Sequence, residues 1–179
     1  YPRLFRSAAA VIAVSREMID QLQRLGAPLA KVHYNPCGAD TALFQGADPS
    51  AAPAHFVGVG RFVDKKAPHL TLLAFARARQ EVPHAELTLI GDGPLWECCH
   101  RLAAAMGVAE AVWMPGVVSH DEVAEAMRRA RAFVQHSVRT FQDEVEGTPV
   151  AVLEAGAMGL PVIATRHAGI RDVVLDGQT

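Results

Sequence analysis

An α/β fold, a Rossmann-like doubly wound parallel sheet, is predicted by three features of the sequence. From Ala54 onward, short apolar runs rich in β-formers alternate with stretches of helical length and amphipathic spacing. The candidate polar residues fall just after the apolar runs, at the carboxyl edge of such a sheet. Half of the 179 residues are apolar, enough for one good core, and the length leaves room for part of a second domain.

The elements follow in chain order. Residues 7–15 (SAAAVIAVS) suit a buried parallel strand. Ser15 is a candidate N-cap for a helix over 16–25, with Glu17 in its first turn and Gly26 as its stop. Residues 31–35 form a second strand, PCGAD (36–40) breaks the pattern, and DPSAAP (48–53) reads as a connector. In the alternating region, strands are predicted at 55–60, 86–90, 111–114, 133–135 and 161–165, and helices at 68–81, 94–106, 119–130 and 149–158. Leu70, Leu73, Ala74 and Ala78 give the first of these helices its apolar spacing. Ser119, with Glu122 three residues on, gives the third a capping box. Pro149 in the first turn and Gly159 just past the end bound the fourth.

A formal net charge of −2 argues against nucleic acid as the main partner. The one basic cluster, Arg128, Arg129 and Arg131, sits at a predicted helix end, where cations complement the dipole; it leaves room for a weak membrane-surface role. No run has the length of a transmembrane helix, and no secretory signal is visible. Cys37, Cys98 and Cys99 are odd in number and two are adjacent, which fits reduced thiols in a cytosolic protein better than a disulfide frame or a metal site. An opening without Met (YPRLFRS) and an ending in mid-turn (VLDGQT) lead to the expectation of a fragment.

The stretch 133–165 organises the candidate chemistry. Asp143, Glu144, Glu146 and Glu154 crowd around its helix. Glu146 is expected near the N-cap and Glu154 one or two turns in; at about 3.6 residues per turn, eight steps return to nearly the same face. Both carboxylates would then line one wall of a pocket. A helix opening with Gly147 and Thr148 would present free N–H groups and the positive end of its dipole. That combination suits a ligand with phosphates at one end and hydroxyls at the other; a solvated acidic loop beside an amphipathic helix has the same spacing. In GRFVDKK (60–66), Gly60 allows a sharp turn, Arg61 offers a planar fork for phosphate, and Lys66 a point charge. Gly91 and Gly93 lie in a Gly-Asp-Gly-Pro turn, which is good loop chemistry in its own right. His120, His136 and His167 lie near the same edge and read as packed or solvated side chains.

EGTPVAVLEAGAMGLPVIAT (146–165) resembles the signature of retaining glycosyltransferases of family 4, the group 1 glycosyl transferases of GT-B fold, in which a Glu-x7-Glu element precedes a small-residue helix ending in Gly-x-Pro-Val. VQHSV before it resembles a subgroup that makes bacterial exopolysaccharide or lipopolysaccharide. Ser15, Gly26, Lys31, Val32, Asn35, Pro36, Gly38, Asp40 and Phe44 match that family's last acceptor-domain pieces and its crossover. The resemblance implies that 1–48 is the tail of an N-terminal acceptor domain with its linker, and 49–179 a C-terminal donor domain truncated at its end. It further implies transfer of a sugar from a UDP or GDP donor to a glycan or lipid-linked acceptor with retention of configuration. No metal or other cofactor would take part, and the enzyme would work in the cytoplasm, with peripheral contact to the inner membrane.

By the same resemblance, Arg61 and Lys66, following Gly60, hold the donor diphosphate and, with Glu146, form the catalytic set. Gly91 and Gly93 edge the nucleotide pocket, and Val117 and Val118 approach the base through their backbone. Glu146 reaches sugar hydroxyls and Glu154 the ribose, while Gly147, Thr148, Pro149 and Val150 lie near sugar and phosphate. Ala67 departs from the usual glycine, Thr148 from a frequent bulky aromatic, and Asp172, in AGIRDVV, from a glutamate. Acceptor-side residues fall outside the chain, so it should be inactive alone. A non-catalytic nucleotide-binding module and a GT-B fold epimerase are the rival readings.

Overall fold

The computed structural model describes residues 1–179. A small unit comes first. Helix α1 (Pro2–Ser7) starts on a proline, which has no N–H to leave unpaired. Strand β1 (Val11–Ala13) pairs in parallel with β2 (Val32–Tyr34), Val11 opposite Val32, and α2 (Arg16–Arg24) connects them. Ser15 Oγ accepts from the Met18 N–H, so the expected N-cap is present. The strand expected over 7–15 is shorter: Ser7 belongs to α1, where its hydroxyl donates to Leu4 O, and β1 extends no further than its three-residue partner. Lys31 ends a 3-10 turn instead of opening β2. Its Nζ donates to Arg6 O at 2.7 Å and Ala8 O at 2.8 Å, closing the carboxyl end of α1.

The larger unit runs β3 (His55–Val59), α3 (Pro68–Glu81), β4 (Glu86–Ile90), α4 (Trp96–Ala105), β5 (Val112–Gly116), α5 (His120–Arg128), β6 (Ala132–Gln135), α6 (Val150–Ala157) and β7 (Val162–Ala164). All five strands are parallel, in the order β5-β4-β3-β6-β7. The chain therefore moves outward from β3 to β5, then crosses back to the other side of β3. The switch falls between β3 and β6, where Val57 stands opposite Phe133.

Helices cover both faces, as the alternation predicts. Leu72 and Phe75 of α3 and Cys99 and Ala103 of α4 pack with Leu87 and Leu89 on one face. Val123 and Met127 of α5 and Val152 and Ala155 of α6 pack with Val57 and Phe133 on the other, joined by Phe44 from the linker. The Ser119–Glu122 capping box is formed in full, and Arg128 and Arg129 both pair with Glu125. Arg131 instead reaches Ser50 O. The apolar face of α3 differs from the expected one. Pro68, Leu72 and Phe75 are buried, whereas Leu73, Ala74 and Ala78 are exposed. Both sets have helical spacing, so periodicity alone cannot choose between them. α4 starts at Trp96, and β5 extends to Gly116.

Candidate functional site

The loop after β3 is locked into shape by its neighbour. Gly60 N–H donates to Ile90 O at 2.9 Å, Phe62 N–H to Asp92 O at 2.9 Å, and Leu95 N–H to Phe62 O at 3.0 Å. A Cβ on Gly91 would lie 2.1 Å from Gly60 O, so no side chain fits where the two loops meet. Buried Phe62 anchors the centre, and a 3-10 turn (Asp64–Lys66) closes the loop. Ala67 follows at φ 42° and ψ 52°, the left-handed region; this explains why a glycine would serve there, and the alanine adopts the conformation regardless. Gly60 itself is not left-handed, and a Cβ there would rest in ordinary contact with the Lys66 stem, 3.4 Å from Cε. Arg61 and Lys66 line one recess together with Gln135 and His136, and Arg61 is exposed with no carboxylate partner. Burial holds His136 below the usual imidazole range, and the neighbouring His69 adds to the effect.

The loop after β6 is held from three sides. Val138 N–H donates to Lys65 O at 2.9 Å, tying it to the β3 loop. Ser137 N–H donates to Thr165 Oγ1 at 2.9 Å, tying it to the end of β7. Further on, Thr148 Oγ1 donates to Val14 O in the small unit. Gly169 packs so closely that a Cβ on it would lie 1.8 Å from Gly147 O, and its N–H donates to Glu146 O at 3.3 Å. Held this way, residues 146–149 stay out of the helix. α6 begins at Val150, with Pro149 as its N-cap at ψ 101°. The expected helix start at Gly147 and Thr148 is thus corrected. So is the shared helical face of Glu146 and Glu154: one carboxylate comes from a loop, the other from α6.

Glu146 nevertheless turns inward toward the loop after β3. It is 7% exposed and lies against Lys66, with Nζ 2.9 Å from Oε2. The pair is in ion contact without hydrogen-bond alignment, so that buried oxygen lacks a hydrogen-bond partner. Lys66 comes from the loop after β3 and Glu146 from the loop after β6. The pair therefore sits at the topological switch, on the edge where open α/β sheets bind ligands. The N–H groups of Gly147, Thr148, Val150 and Ala151 donate to nothing in the chain. Glu154 is half-buried; burial raises its pKa above the ordinary carboxylate value, and the His120 charge partly offsets this.

The remaining candidates spread around this edge. Val117 is exposed, while Val118 packs on the α5–α6 side of the core. A Cβ on Gly93 would lie 2.6 Å from Phe62 O, which gives that glycine a packing reason independent of any ligand. Asp143 and Glu144 stand on an exposed loop tip where Arg139 pairs with Asp143, away from the Lys66–Glu146 contact. Asp172 accepts from the Arg16 N–H at 2.8 Å, so the shorter acid caps α2. His167 lies between charges: burial lowers its pKa, Glu17 and Glu146 pull it up, and Arg139 and Arg171 push it down. Cys37 and Cys98 are exposed free thiols; burial, with Cys98 beside it, pushes the Cys99 thiol up to about 11. No three His, Cys, Asp or Glu side chains converge as a metal-binding cluster. No helix is long and apolar enough to cross a membrane. Sequence reasoning missed Gly169 and Val14, which hold the Glu146 loop. The turn around Gly169 was visible in AGIR, but not the backbone it meets.

Sheet order, switch point and the buried carboxylate beside a lysine define a Rossmann-like α/β domain with its crevice between β3 and β6. Residues 44–179 match the family of glycosyl transferases group 1, and the chain belongs to that family. WcaL of Escherichia coli (strain K12), named for colanic acid biosynthesis, is 29% identical over 176 residues, 97% of this chain and 43% of that protein. A GDP-mannose-dependent alpha-(1-6)-phosphatidylinositol monomannoside mannosyltransferase of Mycolicibacterium smegmatis is 31% identical over 188 residues, 99% of this chain and 49% of that protein. The chain thus spans about half the length of the curated relatives it matches. Among solved structures, Anabaena Alr3699/HepE in complex with UDP and glucose superposes with a TM-score of 0.81 at 21% identity, covering 96% of this chain and 48% of that one.

Proposed function

We propose that the intact protein transfers a sugar from a UDP or GDP donor to a glycan or lipid-linked acceptor with retention of configuration. In this reading, residues 49–179 form the donor-binding domain and 1–48 the end of the acceptor domain. The observation that carries it is the Lys66–Glu146 contact at the β3–β6 switch. Names of relatives add support: one is GDP-mannose-dependent, and a solved neighbour holds UDP and glucose.

Chemically, departure of a nucleoside diphosphate builds negative charge on its phosphates. Arg61 and Lys66 place cations from one rigid loop, and the free N–H groups of 147–151 add dipoles, so stabilisation needs no reorganisation and no metal. Glu146, acceptor-only when ionised, would accept a sugar hydroxyl while keeping Lys66 oriented. Ribose hydroxyls would relieve the unfavourable burial of ionised Glu154 by donating to it. Gly91 and Gly93 would edge the nucleotide pocket, and Val117 and Val118 would offer backbone to the base.

Isothermal calorimetry with UDP and GDP tests the binding half. Replacing Arg61 and Lys66 together by alanine should weaken nucleoside diphosphate binding at least about tenfold, the scale of one lost charge-assisted contact. Unchanged affinity would remove the diphosphate site. In the full-length enzyme, release of free nucleoside diphosphate with an unepimerised sugar in the product separates transfer from both rival readings.

A further inference from the structure

A second cleft, of about 550 Å3, opens between α2 and the loops that follow β6 and β7. Arg16 and Arg24 reach it from α2, two turns apart on one face. Arg139 reaches it from the β6 loop, Arg166 and Arg171 from the β7 loop. Nine of the ten lining residues are polar or charged, and five arginines face three carboxylates. Pairing inside the cleft leaves cations over. Glu17 takes Arg139 and, at 3.7 Å, Arg171. Asp172 accepts from the backbone of Arg16, whose guanidinium lies 5.3 Å from the Tyr34 ring centroid, over its face. Arg24 and Arg166 form no ion pair, so unpaired guanidinium groups remain on both walls. Planar forks on opposed walls match the oxygens of a carboxylate or phosphate.

This cleft shares a wall with the Glu146 crevice. His167 and Ala168 line the cleft at its near end, and the next residue, Gly169, touches the Glu146 loop through its N–H bond to Glu146 O and its packing on Gly147. A molecule lying along this wall can present a hydroxyl toward Glu146 and an anionic group to the arginines. We infer that the arginine cleft is a subsite for the oxyanion of an acidic acceptor, either the carboxylate of a uronic acid or a phosphate group. Its role as an acceptor site rests on the transferase reading; its role as an oxyanion site does not.

Titrating the isotope-labelled chain with glucuronate, inorganic pyrophosphate and glucose, while following backbone amides by NMR, tests this. One or both anions should shift the amides of 166–172 saturably, glucose should not, and the anion that saturates at lower concentration identifies the source. Replacing Arg24 and Arg166 by alanine should weaken that binding about tenfold, the loss of two exposed charge-assisted contacts, and leave UDP affinity unchanged. Equal shifts with glucose, anion shifts confined to residues 60–67, or unchanged binding to the double variant would each overturn the inference. Unchanged UDP affinity after Arg61 and Lys66 are replaced by alanine, with anion shifts intact at 166–172, would sink the transferase reading alone.

Discussion

The two loops that make the crevice achieve the same rigidity by different means. The loop after β3 is short and held by its sequence neighbours in the sheet: a 3-10 turn, a buried phenylalanine, and the 91–95 turn packed beside it. The loop after β6 is long, has no helix or strand of its own, and is held by distant parts of the chain: the Val14 carbonyl from the small unit, the Gly169 backbone and the Thr165 hydroxyl from beyond β7. Lys66 is thus positioned locally and Glu146 globally, although they touch. The difference teaches where the site is vulnerable. The cation depends on its own loop and the 91–95 turn beside it, while the carboxylate depends on three more distant parts of the chain staying together.

Breaking the distant support should have the largest effect. Gly169→Ala forces a Cβ into the Gly147 carbonyl and should cost at least about 3 kcal/mol, read as a fall in urea midpoint. Gly91→Ala should cost as much through Gly60, because there too the obstacle is backbone. A cost below about 1 kcal/mol for Gly169→Ala would mean that the Glu146 loop is not pinned as described. Next, Lys66→Ala leaves a buried carboxylate without its cation and should destabilise by about 2–4 kcal/mol, with most of this recovered when Glu146→Gln is added. Independent effects of the two changes would break the coupling between the loops.

Smaller effects sharpen the contrast. Ala67→Gly relieves a left-handed alanine in the β3 loop and should stabilise by up to about 1 kcal/mol in thermal melts. The pH dependence comes from Glu154 on α6. Its folded pKa is raised, so the native state holds the proton longer, and stability falls as pH rises from the ordinary value of 4.5 through the raised one. Glu154→Gln should remove that decline in denaturation midpoints measured across the window, and should make no difference below it.

Much of this was legible in the sequence, and the exceptions have physical causes. Strand–helix alternation gives the sheet and both its helical layers, and residues placed after strands do gather at one edge. Lys66 and Glu146 meet there because β3 and β6 are neighbours, which the alternation allows but does not specify. Gly147 and Thr148 make an acceptable helix opening locally, but Val14 and Gly169 hold them out of α6, which starts one residue after the predicted 149. The buried side of α3 was misjudged because the helix carries apolar residues around most of its circumference. The arginine cleft was invisible because its arginines are scattered from position 16 to 171 and meet only when α2 docks against the loop after β7.

The Lys66–Glu146 junction is tested most directly by calorimetry on the chain carrying either Lys66→Met or Glu146→Gln, with a nucleoside diphosphate and its sugar conjugate as paired ligands. The lysine change should weaken both ligands, since it removes the proposed phosphate contact. The glutamate change should weaken only the conjugate, since it removes the proposed acceptor of a sugar hydroxyl. If both variants bind both ligands as the unaltered chain does, the junction between the two loops is not a donor site.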